Sequence, residues 1–264
     1  MSNASSKQKT VDTARSQIVR PWGITVAIVV AITGFILSQL VAQIIISVAP
    51  TLMGQGAAEA DHWLKTPIAN FIYVLLAEAL TISILVWFVR LRKTNFWETI
   101  GLRKLGRWDV PIALLGFLCY VVVYAVILML VSGILPINTG QEQAVGFAHN
   151  VRGAGLIMAF FSLVILPPLV EETVFRGFLY GTLRRRNVSF LWSAVIVSLL
   201  FGTMHLFGGG SGSIIIWIAF LDTFVLSLVL CYLREKTGSL WTCIGVHALK
   251  NAFVFVNLFI ISAT

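Results

Sequence analysis

ITVAIVVAITGFILSQLVAQIIISV, residues 24–48, runs for 25 positions without one charged side chain. A helix rises about 1.5 Å per residue, so this stretch outreaches the roughly 30 Å hydrocarbon core of a bilayer. It is too long for the apolar region of a secretory signal and has no small-residue cleavage site after it, so it reads as a membrane anchor. The same signature recurs downstream. Apolar runs occupy about 68–89, 110–135, 189–206, 213–233 and 239–261. Another begins near Gly153, meets Pro167-Pro168, where the helix is expected to break, and continues to Arg184-Arg185-Arg186. The expected fold is all-α: a polytopic transmembrane bundle of seven spans, or eight if 239–261 splits into a pair.

Composition agrees. Of 264 residues, 58% are hydrophobic and only 11% charged, against roughly 25% charged in soluble domains. The net charge of +8 does not read as a nucleic-acid surface, because the basic residues sit in short loops between apolar runs. With the N-terminus inside, the inner segments hold 15 of the 19 Lys and Arg. That bias sets a cytosolic N-terminus on an integral, multi-pass protein of the plasma membrane, with lipid as an obligatory partner. Residues 1–20 read as a cytosolic tail and 21–264 as a single transmembrane domain. Cys119, Cys231 and Cys243 lie in apolar segments without metal-ligand spacing and read as small hydrophobes.

Ionisable groups inside spans are costly and default to a functional hypothesis. Glu172 and Arg176 are four apart, share a helix face and can pair. Glu171 is turned about 100° from Glu172 and is left over; an unpaired carboxylate in an apolar site suits a general base for water. His205 ends one span in Phe-Gly-Thr-Met-His. His247 and Asn251, also four apart, stack on one helix face. They serve either as an interhelical polar clamp or as two donors aimed at one oxyanion. Glu78 and Asp222 read as residues paired to buried donors or lining the cavity, and Lys250 as a partner or a snorkelling side chain. His62 and His149 fall in outer loops. There is no His-Glu-x-x-His and no Gly-x-Ser-x-Gly. The glycine-flanked serines of 208–213 read as a turn.

Glu171-Glu172-Thr-Val-Phe-Arg176, Phe201-Gly-Thr-Met-His205 and Gly238-Ser-Leu-Trp-Thr-Cys-Ile-Gly-Val-His247-Ala-Leu-Lys-Asn251 together resemble, in order and spacing, the three motifs of the CPBP (Abi, type II CAAX prenyl endopeptidase) intramembrane proteases. The resemblance covers about 153–255, with a loose echo at Trp97 to Arg103. It implies an intramembrane catalytic cavity in which Glu171 and His205 activate water, His247 and Asn251 hold the oxyanion, and Glu172 and Arg176 support the site. The family is described both as metalloproteases and as metal-free glutamate peptidases; a divalent ion such as zinc would take Glu171, His205 and His247 as ligands.

The resulting expectation is an intramembrane endopeptidase acting on membrane-associated peptides or prenylated proteins. The alternative is a non-enzymatic protein of the same fold, in bacteriocin self-immunity or scaffolding. A small transporter using Glu78 and Asp222 would need paired broken helices in two halves, and no such repeat is present.

Overall fold

The computed structural model describes residues 22–133, 146–207 and 213–261. The N-terminal tail, the loop carrying Pro136, Asn138 and Glu142, and the glycine-rich turn at 208–212 lie outside the described residues. All regular structure among the described residues is helical. In chain order these are α1 (Ile24–Leu52), α2 (Ala57–Leu64), α3 (Pro67–Leu91), α4 (Phe96–Ile100), α5 (Asp109–Ser132), α6 (Ala154–Arg185), α7 (Phe190–Met204), α8 (Ser213–Thr237) and α9 (Leu240–Ile261). Six are long and apolar enough to cross a membrane, and α7 is a shorter apolar helix. The seven together match the expected spans.

Local chemistry sets the helix starts. Thr66 caps α3, its hydroxyl accepting from the Ala69 amide at 3.2 Å, with Pro67 in the first turn where no amide hydrogen is needed. Ser189 and Ser239 cap α7 and α9 in the same way. The long helices are apolar on every side. Leu115 and Val122 of α5 are exposed, as a lipid-facing surface requires. Between helices small residues let backbones approach: Ala27, Ala31, Gly34, Ser38 and Ala42 form the buried stripe of α1, which packs on α3.

Pro50 lies inside α1, which continues to Leu52, because a proline near a helix end removes one bond without stopping the last turn. The 239–261 run is one helix, as in the seven-span alternative. One expectation changes: Pro167-Pro168 does not break α6. The helix runs through them by widening into a π-helical turn at Phe161–Ile165, with a second π segment at Thr173–Tyr180. Such turns absorb backbone that cannot keep the α-helical bond pattern and recur at functional sites.

The second π segment is the centre of the core; every residue from Thr173 to Tyr180 is buried. Gly177 makes this possible: a Cβ there would lie 2.9 Å from Ile100 Cβ and 3.2 Å from the Ile100 carbonyl oxygen. α4 is thereby seated directly against α6. Arginines fix its far end, with Arg185 donating to the Thr99 carbonyl at 3.0 Å and Arg234 to the Ile100 carbonyl at 2.8 Å. Cations on the final carbonyls of a helix satisfy orphan acceptors and match its dipole. The Trp97–Arg103 echo is thus a packed wedge joining the basic ends of α6 and α8, which Arg184 and Glu235 tie at 2.6 Å.

Candidate active site

Glu172 and Arg176 sit one helical turn apart on α6, both fully buried, with Arg176 Nη1 2.9 Å from Glu172 Oε1. The expected ion pair is present. The guanidinium lies over the Phe201 ring, 4.6 Å from its centroid, so an aromatic face shares in holding the buried cation. Phe201 also touches both histidines, with ring centroids 4.7 Å from His205 and 5.9 Å from His247. The phenylalanine of Phe-x-x-x-His is the packing hub that sets α7 against α6 and α9.

Glu172 Oε1 has a second partner, His247 Nδ1 on α9 at 2.9 Å. A carboxylate only accepts, so Nδ1 carries the hydrogen. The other ring nitrogen, Nε2, then faces Glu171 Oε2 at 3.9 Å, too far for a hydrogen bond. Glu171 Oε2 is buried without a hydrogen-bond partner among the described residues. One glutamate is a structural anion and its neighbour is unengaged, as the 100° offset anticipates.

His205 sits where α7 ends, in a single 3₁₀ turn. Its Nδ1 lies 2.9 Å from the Phe201 carbonyl. Since a carbonyl only accepts, this contact places the hydrogen on Nδ1 and leaves Nε2 as an acceptor in the neutral ring.

Asn251 donates from Nδ2 to the Leu163 carbonyl at 2.9 Å. The reason lies in the proline pair. In α-helical register that carbonyl would accept from residue 167, and in π register from residue 168. Both are proline and have no amide hydrogen. Neither register can satisfy the Leu163 oxygen, and the Asn251 carboxamide does so from the next helix.

Glu171, His205, His247 and Asn251 all line one cavity of about 240 Å³, together with Thr223 and Lys250. Glu172 and Arg176 stand behind it. The cavity therefore gathers, from three helices, the four side chains singled out from sequence. Residues 153–253 match the family model described as type II CAAX prenyl endopeptidase Rce1-like. The motif-bearing region is thus similar to this family. Among curated proteins, the uncharacterized protein YyaK of Bacillus subtilis is 27% identical over 53% of this chain and 45% of its own length. The membrane-embedded CAAX protease MroQ of Staphylococcus aureus is 24% identical over 90% of both chains. The putative membrane peptidase YdiL of B. subtilis is 24% identical over 47% of this chain and 46% of its own. The matches to YyaK and YdiL thus span about half of each relative. No solved structure matches at comparable significance.

The cavity does not form the suggested three-ligand zinc site. Among the described residues no three His, Cys, Asp or Glu side chains converge closely enough to hold one ion. No step is therefore routed through a metal.

Of the residues set aside as structural, Asp222 behaves as expected: it accepts from the Tyr120 hydroxyl and pairs with Lys250 at 2.9 Å. Glu78 on α3 is buried, with Oε2 unpartnered among the described residues. What sequence reasoning missed is that Lys250 opens on the cavity. Its spacing of one turn from His247 was the available signal.

Proposed function

We propose that this chain is an intramembrane endopeptidase that hydrolyses peptide bonds of membrane-associated or prenylated substrates by glutamate- and histidine-activated water. The observation that carries the reading is the unpartnered Glu171 Oε2 in the same cavity as His205. Glu171 removes a proton from water, with the free Nε2 of His205 as the second acceptor. The water oxygen then bonds to the scissile carbonyl carbon, and the carbonyl π electrons move onto its oxygen. That oxyanion receives hydrogen bonds from Asn251, through the amide hydrogen not given to Leu163, and from His247 Nε2 in the form of the ring that has taken a second proton from bulk water before the substrate binds and keeps it through the cycle. Glu172 is the counter-ion that lets His247 carry both hydrogens. When the tetrahedral intermediate collapses, the C–N bond breaks and the proton held by Glu171 passes to the leaving amine.

MroQ is described as a CAAX protease, which supports a CAAX-type specificity here. The Lys/Arg distribution supports a cytosolic N-terminus. The test is cleavage of a panel of prenylated and unprenylated peptides by purified protein in liposomes, with Glu171→Gln alongside. The variant should lose cleavage and remain folded, since it removes a buried charge that has no hydrogen-bond partner. Full activity in Glu171→Gln would sink the mechanism.

A further inference from the structure

A second cavity, of about 380 Å³, opens where the start of α1 meets α4 and the ends of α3 and α6. It shares no lining residue with the catalytic cavity. Lys93, Arg185 and Glu98 supply its charges, and Trp22 and Thr99 stand among its walls. The walls are fixed. The Trp22 ring packs on Phe88 and Phe178, with centroids 5.2 and 5.4 Å apart, and its Nε1 donates to the Thr182 hydroxyl at 3.1 Å. Arg185 is held as well: Nη1 donates to the Thr99 carbonyl at 3.0 Å and Nη2 to the Thr182 hydroxyl at 3.2 Å. Among the described residues it has no carboxylate partner. Lys93 has a backbone φ of 54°. It follows the cap of α3, at the position where helices commonly end on glycine, the residue that enters this left-handed region without strain. The chain places a lysine there instead, and its ammonium makes no hydrogen bond or ion pair among the described residues.

We infer that this cavity binds the phosphate of an anionic phospholipid headgroup. Phosphate oxygens accept charge-assisted hydrogen bonds from ammonium and guanidinium groups alike. Asn95 already accepts from the Trp97 and Glu98 amides, so the two side-chain cations, not the start of α4, hold the anion. Two cations and one carboxylate leave the lining a single net positive charge, which matches a phosphodiester monoanion and disfavours polyanions. Glu98 is exposed and can accept from the hydroxyls of a glycerol headgroup. Depth selects the lipid over a soluble phosphate. α3 and α6 are both long and apolar enough to cross a membrane, and Leu91 and Arg185 are their last residues. The cavity therefore lies at the edge of the apolar layer, where a bilayer carries its headgroups, and basic cavities between spans suit such groups. Trp87 and Leu91 are exposed on the last turns of α3, an apolar surface for the acyl chains. The site stands apart from the peptidase chemistry of the other cavity.

The test is native mass spectrometry of the full-length protein released from micelles doped with equal amounts of phosphatidylglycerol and phosphatidylcholine. A charge-assisted hydrogen bond predicts that the unmodified protein retains phosphatidylglycerol about tenfold or more tightly than phosphatidylcholine. Lys93→Gly removes the cation and suits the backbone, so it should lose about tenfold in phosphatidylglycerol affinity while melting no lower than the parent. Lys93→Gln should lose it equally, which keeps the result independent of the glycine backbone, and Lys93→Arg should keep it. Lys104→Gln removes an exposed cation outside the cavity and should leave retention unchanged. Equal retention of both lipids by the unmodified protein, or undiminished retention by Lys93→Gly and Lys93→Gln, overturns the site. A loss in Lys104→Gln as large as that in Lys93→Gly assigns the effect to diffuse surface charge and overturns it too. Sodium phosphate, set against sodium chloride at equal ionic strength, tests the soluble source. A rise in melting temperature in neutral-lipid micelles that Lys93→Gly abolishes would give the cavity to free phosphate and overturn the lipid assignment; no rise is expected.

Discussion

Glu172→Gln should separate what this carboxylate does for the fold from what it does for the site. Glu172 Oε1 accepts from both Arg176 Nη1 and His247 Nδ1, each at 2.9 Å. Glutamine removes the charge and places an amide NH₂ among donors that need acceptors. Arg176 is then a buried cation with the Phe201 face as its principal support. Stranding a buried ion costs about 3–5 kcal/mol, and a desolvated cation–π contact offsets roughly 1–2 kcal/mol. The expected destabilisation is therefore about 1–4 kcal/mol. Glu172→Gln/Arg176→Met removes both charges and should return stability to within about 1 kcal/mol of the parent. Activity should not return, because His247 has lost the anion that fixes its ring; misplacement of a reacting group costs about a hundredfold. Unfolding in mixed detergent–SDS micelles, followed by tryptophan fluorescence, reads the first quantity, and peptide cleavage in liposomes the second. A double variant as unstable as Glu172→Gln would show that Arg176 is not stranded. A double variant that cleaves at the parent rate would show that Glu172 does not position His247.

Further outcomes follow from particular contacts. Asn251→Ala leaves the Leu163 carbonyl unpaired and should cost about 1–3 kcal/mol of stability; adding Pro167→Ala, which restores an amide hydrogen to α6, should recover part of it in the same unfolding assay. Gly177→Ala places a methyl against Ile100 backbone that cannot move aside and should cost about 1–3 kcal/mol, with α4 becoming accessible to protease. Cleavage by protein treated with a strong chelator should proceed unchanged, because the cavity lacks a three-ligand cluster among the described residues; loss restored by added zinc would contradict that reading.

The membrane bundle was legible because span length and apolarity are local properties. Residues 24–48 announce a helix without any knowledge of what packs on it, and the small residues facing α3 are spaced along the same run. Glu172–Arg176 was legible for a similar reason, since a four-residue spacing fixes a helical neighbour wherever the helix lies. That Glu172 pairs with Arg176 while Glu171 Oε2 has no hydrogen-bond partner agrees with the helical angle between them. Contacts between helices were not legible. No spacing rule pairs Lys250 with Asp222 or seats Phe201 under three charged or polar side chains, because those depend on how α7, α8 and α9 dock against α6.

The proline pair shows how a correct local reading can miss its tertiary meaning. Pro167-Pro168 does deprive the backbone of two donors, and in isolation that argues for a break. In the folded protein the deprived carbonyl of Leu163 is the acceptor that holds Asn251. A carboxamide already held by one hydrogen keeps its plane fixed, so its second hydrogen needs no reorientation when charge develops nearby, which is the condition under which a donor is most effective. The prolines thereby serve the site by leaving an acceptor open, and the π turn beside them is what lets α6 remain a helix while doing so. Under the proposed mechanism the clamp and the oxyanion donor, which stand as alternatives for Asn251 in the sequence, become two uses of one side chain.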